Sequence, residues 1–401
     1  MNDWKEYNLG ELTTVVTKGT TPAGSLYTNE GINYIKSEAV GYNGKINNSN
    51  FAFISRETHQ KLKRSQLQKD DILFSMAGIY LGKSAIVTED FLPANTNQAL
   101  AIIRLNQEMA LPIFILYYLR QKGVIDFVNN MSGQSAQPNI NFEEIKSINI
   151  LLPTLNEQRS IAFIFSSLDD KIDLLRRQNK TLEQLAETLF REWFVEEANL
   201  REETKLGDYV DCINGYSYSS SELNPSDVAL VTLKSFNRNG GFSINGFKEF
   251  TGKIKNHQVV KEGDLVVAHT DITQEADVIG NPALIIEDPR YKTLIMTMDL
   301  VKVVPKDNKF SIPFIYHLMR TREFKFHCLG CSNGTTVLHL SKSAIPSFSF
   351  PKPNFEKVKL FTIEADKLTK KFLINHSQIR TLTQLRDTLL PKLMSGEVRA
   401  K

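Results

Sequence analysis

Apolar and polar positions along the chain follow two different periods. From Leu168, apolar residues fall three or four apart at Leu168, Ile172, Leu175, Leu182, Ala186, Leu189 and Trp193, with Asn179 in the same series. A second series runs Leu368, Phe372, Asn375, Ile379, Leu382, Arg386 and Leu389. Side chains so spaced share one stripe of an α-helix, and a stripe sustained over several heptads is a coiled-coil signature. Pro153-Thr154-Leu155-Asn156-Glu157 supplies a capping box at the start of the first helix. About 40 helical residues make a rod of roughly 60 Å. Pro391 is expected to kink the second rod, and Ser395-Gly396 suits its end. Asn179 and Asn375 put an amide in each seam, where a buried Asn fixes register and a solvated one does not. Two amphipathic helices packed only on their own domains are the alternative to a paired seam.

Ahead of each rod the pattern shortens. Asp71–Ser75, Ser84–Val87, Ala99–Leu105 and Ile148–Leu152 are apolar, β-branched runs bounded by polar or Gly/Asn turns, and so predict strands. Asp264–Ala268, Ala283–Ile286, Leu300–Val304 and Ser347–Phe350 repeat the theme. Ile113–Lys122 and Pro313–Arg322 read as short amphipathic helices. The class is mixed α/β (α+β).

The chain is written twice. Thr181-Leu182-x-Gln184-Leu185-x-x-Thr188-Leu189 matches Thr381-Leu382-x-Gln384-Leu385-x-x-Thr388-Leu389 at an offset of 200, with six identities in nine positions. Phe114-Ile115 and Arg120 match Phe314-Ile315 and Arg320 at the same offset, and Ile35-Lys36-Ser37 matches Leu233-Lys234-Ser235 at 198. An internal repeat of this kind points to a duplicated structural unit. The expected organisation is a globular part over 1–152, a spacer helix over 153–199, a second globular part over 200–351 and a second helix over 352–401. The two helices are expected to form an antiparallel coiled coil.

Composition narrows the classes. A length of 401 residues exceeds what one core organises, while 41% hydrophobic and 23% charged residues exclude disorder and low complexity. The longest apolar run, Ala110–Leu119, has ten residues where a bilayer span needs about 20. No secretory signal is expected at Met1–Glu11, and three cysteines suit a reducing cytoplasm better than a disulfide framework. The net charge of +3 hides an uneven spread: residues 352–401 carry eleven Lys/Arg against five acids, leaving the remainder slightly acidic. Binding of a polyanion by the body of the chain must therefore use local patches.

Catalytic motifs are scarce. Gly280-Asn281-Pro282-Ala283 lacks the second proline and the aromatic of a base-holding methyltransferase turn, and no phosphate-binding GxxxxGK[ST] loop occurs. Glu144-x-Lys146 and Glu203-x-Lys205 are too degenerate for a nuclease core. Cys328-x-x-Cys331, with His327, His317 and His339, offers one ligand pair where a structural zinc site usually needs two. Catalytic, cofactor-binding and metal-ligating residues are accordingly expected to be absent.

Paired polar loops remain. Lys18 and Thr20 in the first copy answer Tyr216 and Tyr218 in the second. Gln134, Ser135, Gln137 and Asn139 answer Thr335 and Thr336. Basic clusters hold Arg56, Lys61 and Lys63, and Lys234, Asn237 and Arg238. Such side chains reach phosphates and read base edges in the major groove, so all sixteen are candidates for binding DNA.

The motifs resemble those of the DNA specificity subunits of type I restriction–modification systems. Leu152-Pro153-Thr154-Leu155-Asn156-Glu157-Gln158-Arg159-Ser160-Ile161, Leu168-Asp169-Asp170-Lys171-Ile172-Asp173 and Leu189-Phe190-Arg191-Glu192-Trp193-Phe194 are similar to that family's spacer helix. Leu389-Leu390-Pro391-Lys392-Leu393-Met394-Ser395-Gly396-Glu397 resembles its C-terminus, and Lys261-Glu262-Gly263-Asp264-Leu265 one of its turns. Pro353-Asn354-Phe355-Glu356-Lys357 lacks the Glu-Gln pair, and Lys69-Asp70-Asp71 replaces the Gly-Asp turn in the first copy. The resemblance implies a non-catalytic subunit with two target-recognition domains at opposite ends of an antiparallel helical pair. Each would read half of a bipartite site in double-stranded DNA. Two methyltransferase subunits would bring S-adenosylmethionine, and restriction subunits would bring ATP and Mg²⁺. The divergence of the two globular halves implies an asymmetric target. A coiled-coil adaptor without DNA readout is the rival reading.

Overall fold

The structure is a computed structural model that describes residues 4–78, 81–131, 139–196, 202–238, 240–273 and 275–400. It divides into two compact units, Met1–Ile172 with Thr381–Lys401, and Asp173–Arg380. Each contains a mixed α/β globular part and a length of both long helices.

In the first unit, strands Thr13–Lys18, Leu100–Leu105, Ile72–Ser75 and Ser84–Ile86 lie in that order in one antiparallel sheet. A second sheet orders Tyr27–Thr28, Ala52–Ile54, Ile32–Ile35 and Ala94–Thr96, its last pair parallel. The second unit repeats the plan with Val210–Asn214, Leu300–Pro305, Leu265–Ala268 and Pro282–Leu284. Its other sheet holds Lys248–Glu249, Val228–Val231, Thr293–Met296 and Val259–Val260, again with one parallel pair. The predicted strands thus exist to within a residue or two. Sequence left the strand order open.

One turn shows how closely the copies agree. Asp71 accepts from the Gln68 amide and pairs with Arg104 at 2.7 Å, while Asp264 accepts from the Lys261 amide and pairs with Lys302 at 2.6 Å. Asp70 takes φ 68° where the second copy has Gly263 at φ 83°. The departure noted at Lys69-Asp70-Asp71 is therefore a non-glycine residue in a left-handed position, which glycine occupies without a Cβ penalty.

The long helices run Leu155–Phe190, loosening into a π turn over Arg191–Val195, and Phe355–Met394. Thr154 and Glu157 form the expected cap: the Glu157 amide donates to the Thr154 hydroxyl and the Thr154 amide to the Glu157 carboxylate. The second helix passes through Pro391 and ends at Met394, with Gly396 at φ 71° just beyond. A proline so near the end leaves little helix to disrupt. Ile172, Leu175 and Asn179 of the seam are buried, and Leu168, Leu182, Leu189, Trp193, Leu368, Phe372, Ile379, Leu382 and Leu389 are half-buried.

Both helices also enter the domain cores. In the first unit Ile161, Phe165, Leu393 and Met394 pack with Leu9, Phe74, Ile103 and Phe114. In the second, Phe190, Phe194, Val358 and Phe361 pack with Phe310, Phe314 and Phe324. The helices therefore combine the seam with the packing on domains that the sequence offered as its alternative.

Within each unit the two helices run antiparallel. In the first, Glu157 pairs with Arg399 and Asp169 with Arg386, so one chain rises as the other falls. In the second, the buried Asn375 amide donates to the Asn179 side chain at 2.9 Å, and Leu182 and Ala186 share a cavity with Leu368 and Phe372.

One arginine in each unit fastens the globular part to the helices. Arg120 meets Asp169 of the first helix at 3.1 Å, where the Tyr117 hydroxyl and Arg386 also converge. Arg320 meets Glu183 at 3.3 Å and Glu187 at 3.1 Å, and donates to the Tyr316 hydroxyl. Burial works to raise the Asp169 carboxyl, but hydrogen bonds from Arg386 and the charge of Arg120 outweigh it and hold its pKa low. Burial lifts the Glu183 carboxyl, and Arg320 offsets this only in part.

Candidate nucleic-acid interface

The paired polar loops sit where strands end against close-packed backbone. Gly19 follows strand Thr13–Lys18, donates to the Leu100 carbonyl at 3.2 Å, and would drive any Cβ into the Thr96 carbonyl. Gly215 follows Val210–Asn214, donates to the Leu300 carbonyl at 3.2 Å, and would drive a Cβ into the Thr297 carbonyl. Glycine is the one residue that allows this approach. It sets Lys18 and Thr20, and Tyr216 and Tyr218, beside the turns 97–100 and 297–300.

Those turns are closed alike, by Leu100 N–H to Asn97 at 3.2 Å and Leu300 N–H to Thr297 at 2.9 Å. Each is also held from its far side, where the Met76 amide donates to Ala99 and the His269 amide to Asp299. The Met76 and His269 carbonyls in turn accept from Ile140 and Leu340. Asn139, exposed and bridged to Ala77, lies next to Ile140, and exposed Thr335 and Thr336 cap the hairpin Ser332–Asn333 and Leu338–Leu340. Gln134, Ser135 and Gln137 lie outside the described residues. A loop and a turn are thereby laced in each copy to a third segment, Asn139-Ile140 in the first and the hairpin strand Leu338–Leu340 in the second.

The basic candidates join this assembly unequally. Arg56, Lys61 and Lys63 are exposed on the short helix Arg56–Lys61 and the turn after it, with Lys61 paired to Glu57 at 2.6 Å. Buried Asn95 anchors the segment, donating to the Leu62 carbonyl and the Ser65 hydroxyl at 3.1 and 2.8 Å. Arg64 reaches to 3.5 Å from the Thr20 hydroxyl, which places this segment beside the first loop. Lys234, Asn237 and Arg238 are exposed around the bridge Phe236–Phe242, the counterpart of Val40–Ile46 in the first copy. Arg238 stands 3.9 Å from Asp277. Of the two tyrosines, Tyr216 donates to Glu222 at 2.8 Å and Tyr218 accepts from Lys248 at 2.9 Å.

Of the Cys328-x-x-Cys331 cluster, Cys331 Sγ lies 3.7 Å from His327 Nε2, while the other members point elsewhere. Cys328 is buried against Gly280, His317 lies among Phe190, Phe361 and Tyr316, and His327 faces the Ala344 carbonyl. Among the described residues no group of three His, Cys, Asp or Glu is placed to hold a metal ion, and no helix is long and apolar enough to cross a membrane.

Residues 1–184 match the family described as the type I restriction modification DNA specificity domain. The chain is 24% identical to the HindI type I restriction enzyme specificity subunit of Haemophilus influenzae, across 99% of this chain and 100% of that one. Over residues 1–184 the chain carries that specificity domain, and along its whole length it is similar to type I specificity subunits. The MjaIX specificity subunit of Methanocaldococcus jannaschii is 23% identical over 77% of this chain and 74% of its own. The solved S subunit of a type I restriction–modification system from M. genitalium superposes with a TM-score of 0.62 at 18% identity, covering 98% of this chain and 97% of that one. That likeness carries the specificity-subunit fold beyond residue 184.

Sequence reasoning missed several members of the assembly. Asn95 was hidden in the apolar run before Thr96, where an amide in a buried strand was the available signal. The second domain's counterpart of the Arg56–Ser65 segment leads into strand Val259–Val260 and exposes Lys253, Lys255 and His257. The turns 97–100 and 297–300 carry little signature, since their role depends on backbone partners distant in sequence, Gly19 with Met76 for the first and Gly215 with His269 for the second.

Proposed function

We propose that this specificity subunit reads an asymmetric bipartite site in double-stranded DNA, each globular domain taking one half-site from the major groove. The two loop assemblies carry this reading: they are built on one backbone plan and lined by different side chains. Thr20 and Gln98 in the first stand where Tyr216 and Met298 stand in the second. Exposed Arg, Lys, Asn and Thr side chains around them supply both phosphate and base-edge contacts. The long helices set the unread gap between half-sites. The chain is not itself catalytic, and in the cytoplasm it directs adenine methylation or restriction by partner subunits.

Each unit also exposes apolar helix positions at equivalent places. Phe163 and Leu385 in the first, and Leu185 and Ile363 in the second, are 73%, 44%, 47% and 50% exposed. Two matched patches suit two copies of one partner, here a methyltransferase subunit carrying S-adenosylmethionine, while restriction subunits carry ATP and Mg²⁺. Sequencing host DNA with modification-sensitive reads, with and without this gene, tests the reading. Loss of one bipartite, non-palindromic methylated motif is the expected result. An unchanged methylome in a host with active partner subunits would contradict it.

A further inference from the structure

The turns 97–100 and 297–300 sit at the centre of their assemblies, held on one side by Gly19 or Gly215 and on the other by Met76 or His269. Such a turn presents its second residue outward, and in both copies that residue is exposed: Gln98 in the first and Met298, 55% exposed, in the second. The support around them differs in kind. Thr21 donates its hydroxyl to the Gln98 side-chain oxygen, which orients the amide. The Met298 amide donates to the Tyr216 carbonyl at 2.8 Å, which fixes its backbone and leaves the thioether chain free.

We propose that Gln98 and Met298 are specificity-determining residues, Gln98 choosing its base by hydrogen bonds and Met298 by apolar contact. A glutamine amide offers the donor–acceptor pair that matches adenine N6 and N7 in the major groove. A methionine has no donor and only a weak acceptor, so it favours the C5-methyl of thymine and penalises bases whose polar edges it leaves unpaired. Between the two domains this one position changes from polar to apolar on the same backbone. The inference rests on the DNA-reading function proposed above and adds a residue-level basis for two unlike half-sites.

The test uses the full chain assembled with its methyltransferase partner, acting on a library of duplexes randomised across both half-sites and read by modification-sensitive sequencing. Met298→Gln is expected to change the preferred base at one position of one half-site by about tenfold or more, leaving the other half-site and the gap as they were. Gln98→Met is expected to relax or change one position in the opposite half-site. Met298→Leu, which keeps an apolar contact, is expected to retain the parent motif. An unchanged motif and unchanged tolerance in both Met298→Gln and Gln98→Met would overturn the proposal. So would a uniform loss of methylation across all sequences, which would make these residues structural. Absence of any sequence preference in the parent complex would instead strike the DNA-reading function itself.

Discussion

The junctions that fasten the two globular parts to the helices use the same arginine and opposite surroundings. Arg120 and Arg320 stand 200 residues apart, each at the end of a short helix and each beside a tyrosine. In the first unit Arg120 shares one acid, Asp169, with a second cation, Arg386. In the second unit Arg320 alone serves two acids, Glu183 and Glu187. The helix pair is tied differently too, by the Asp169–Arg386 ion pair in one unit and the Asn179–Asn375 amide pair in the other. A duplicated fold has kept its geometry while redistributing charge, so equal substitutions should have unequal effects.

The largest expected difference follows from that count of partners. Arg320→Ala leaves half-buried Glu183 without its cation, and removing one member of such a pair costs about 3 kcal/mol. Arg120→Ala should cost only about 1–2 kcal/mol, because Arg386 still neutralises Asp169. Urea unfolding of both variants checks this, and equal losses would dissolve the contrast.

Acid should separate the units next. Burial first, and the charge of Arg320 second, push the His317 pKa down to about 3, while burial with Arg380 and Arg176 brings His376 to about 4. Both rings stay neutral in the folded second unit while the unfolded chain takes up protons below about pH 6.5. Stability therefore falls as pH falls from there, by roughly 2 kcal/mol at pH 5 for His317 alone. Asp169 in the first unit has a lowered pKa, so its contribution is complete above about pH 4 and is lost only as pH falls further. Hydrogen exchange at pH 7 and pH 5, followed peptide by peptide, should show the second unit loosening first.

The amide pair gives a smaller effect of opposite sign. Replacing Asn179 and Asn375 together by Leu should stabilise the second unit by about 1–2 kcal/mol while weakening the register of its helices. A raised urea midpoint with a broadened gap length in the methylated motif is the expected pair of readings. Smallest of all, Asp70→Gly should stabilise the first unit by about 0.5–1 kcal/mol by relieving the φ of 68° that Gly263 already accommodates. A calorimetric melting temperature that fails to rise would mean the turn pays no such strain.

The helices, the strands and the duplication were legible because their signals are local: three- and four-residue spacing, short apolar β-branched runs, and a nine-residue repeat. The loops around Gly19 and Gly215 were legible in position, since Lys18-Gly19-Thr20 and Asn214-Gly215-Tyr216 both break a strand with glycine. Their partners were not. Asp169 with Arg386, and Glu183 with Arg320, are joined across 217 and 137 residues, and no spacing rule connects them. The basic segment before Val259 escaped notice because Lys253, Lys255 and His257 resemble Arg56–Arg64 in place rather than in sequence.

The central claim is that each globular domain reads its own half-site. A chain in which residues 202–351 are replaced by a second copy of 4–152 tests it most directly, since the incoming Arg120 can meet Glu183 and Glu187 where Arg320 does now. Assembled with its methyltransferase partner and mapped by modification-sensitive sequencing, that chain should methylate an inverted repeat of the first half-site. Retention of the original asymmetric motif would contradict the account.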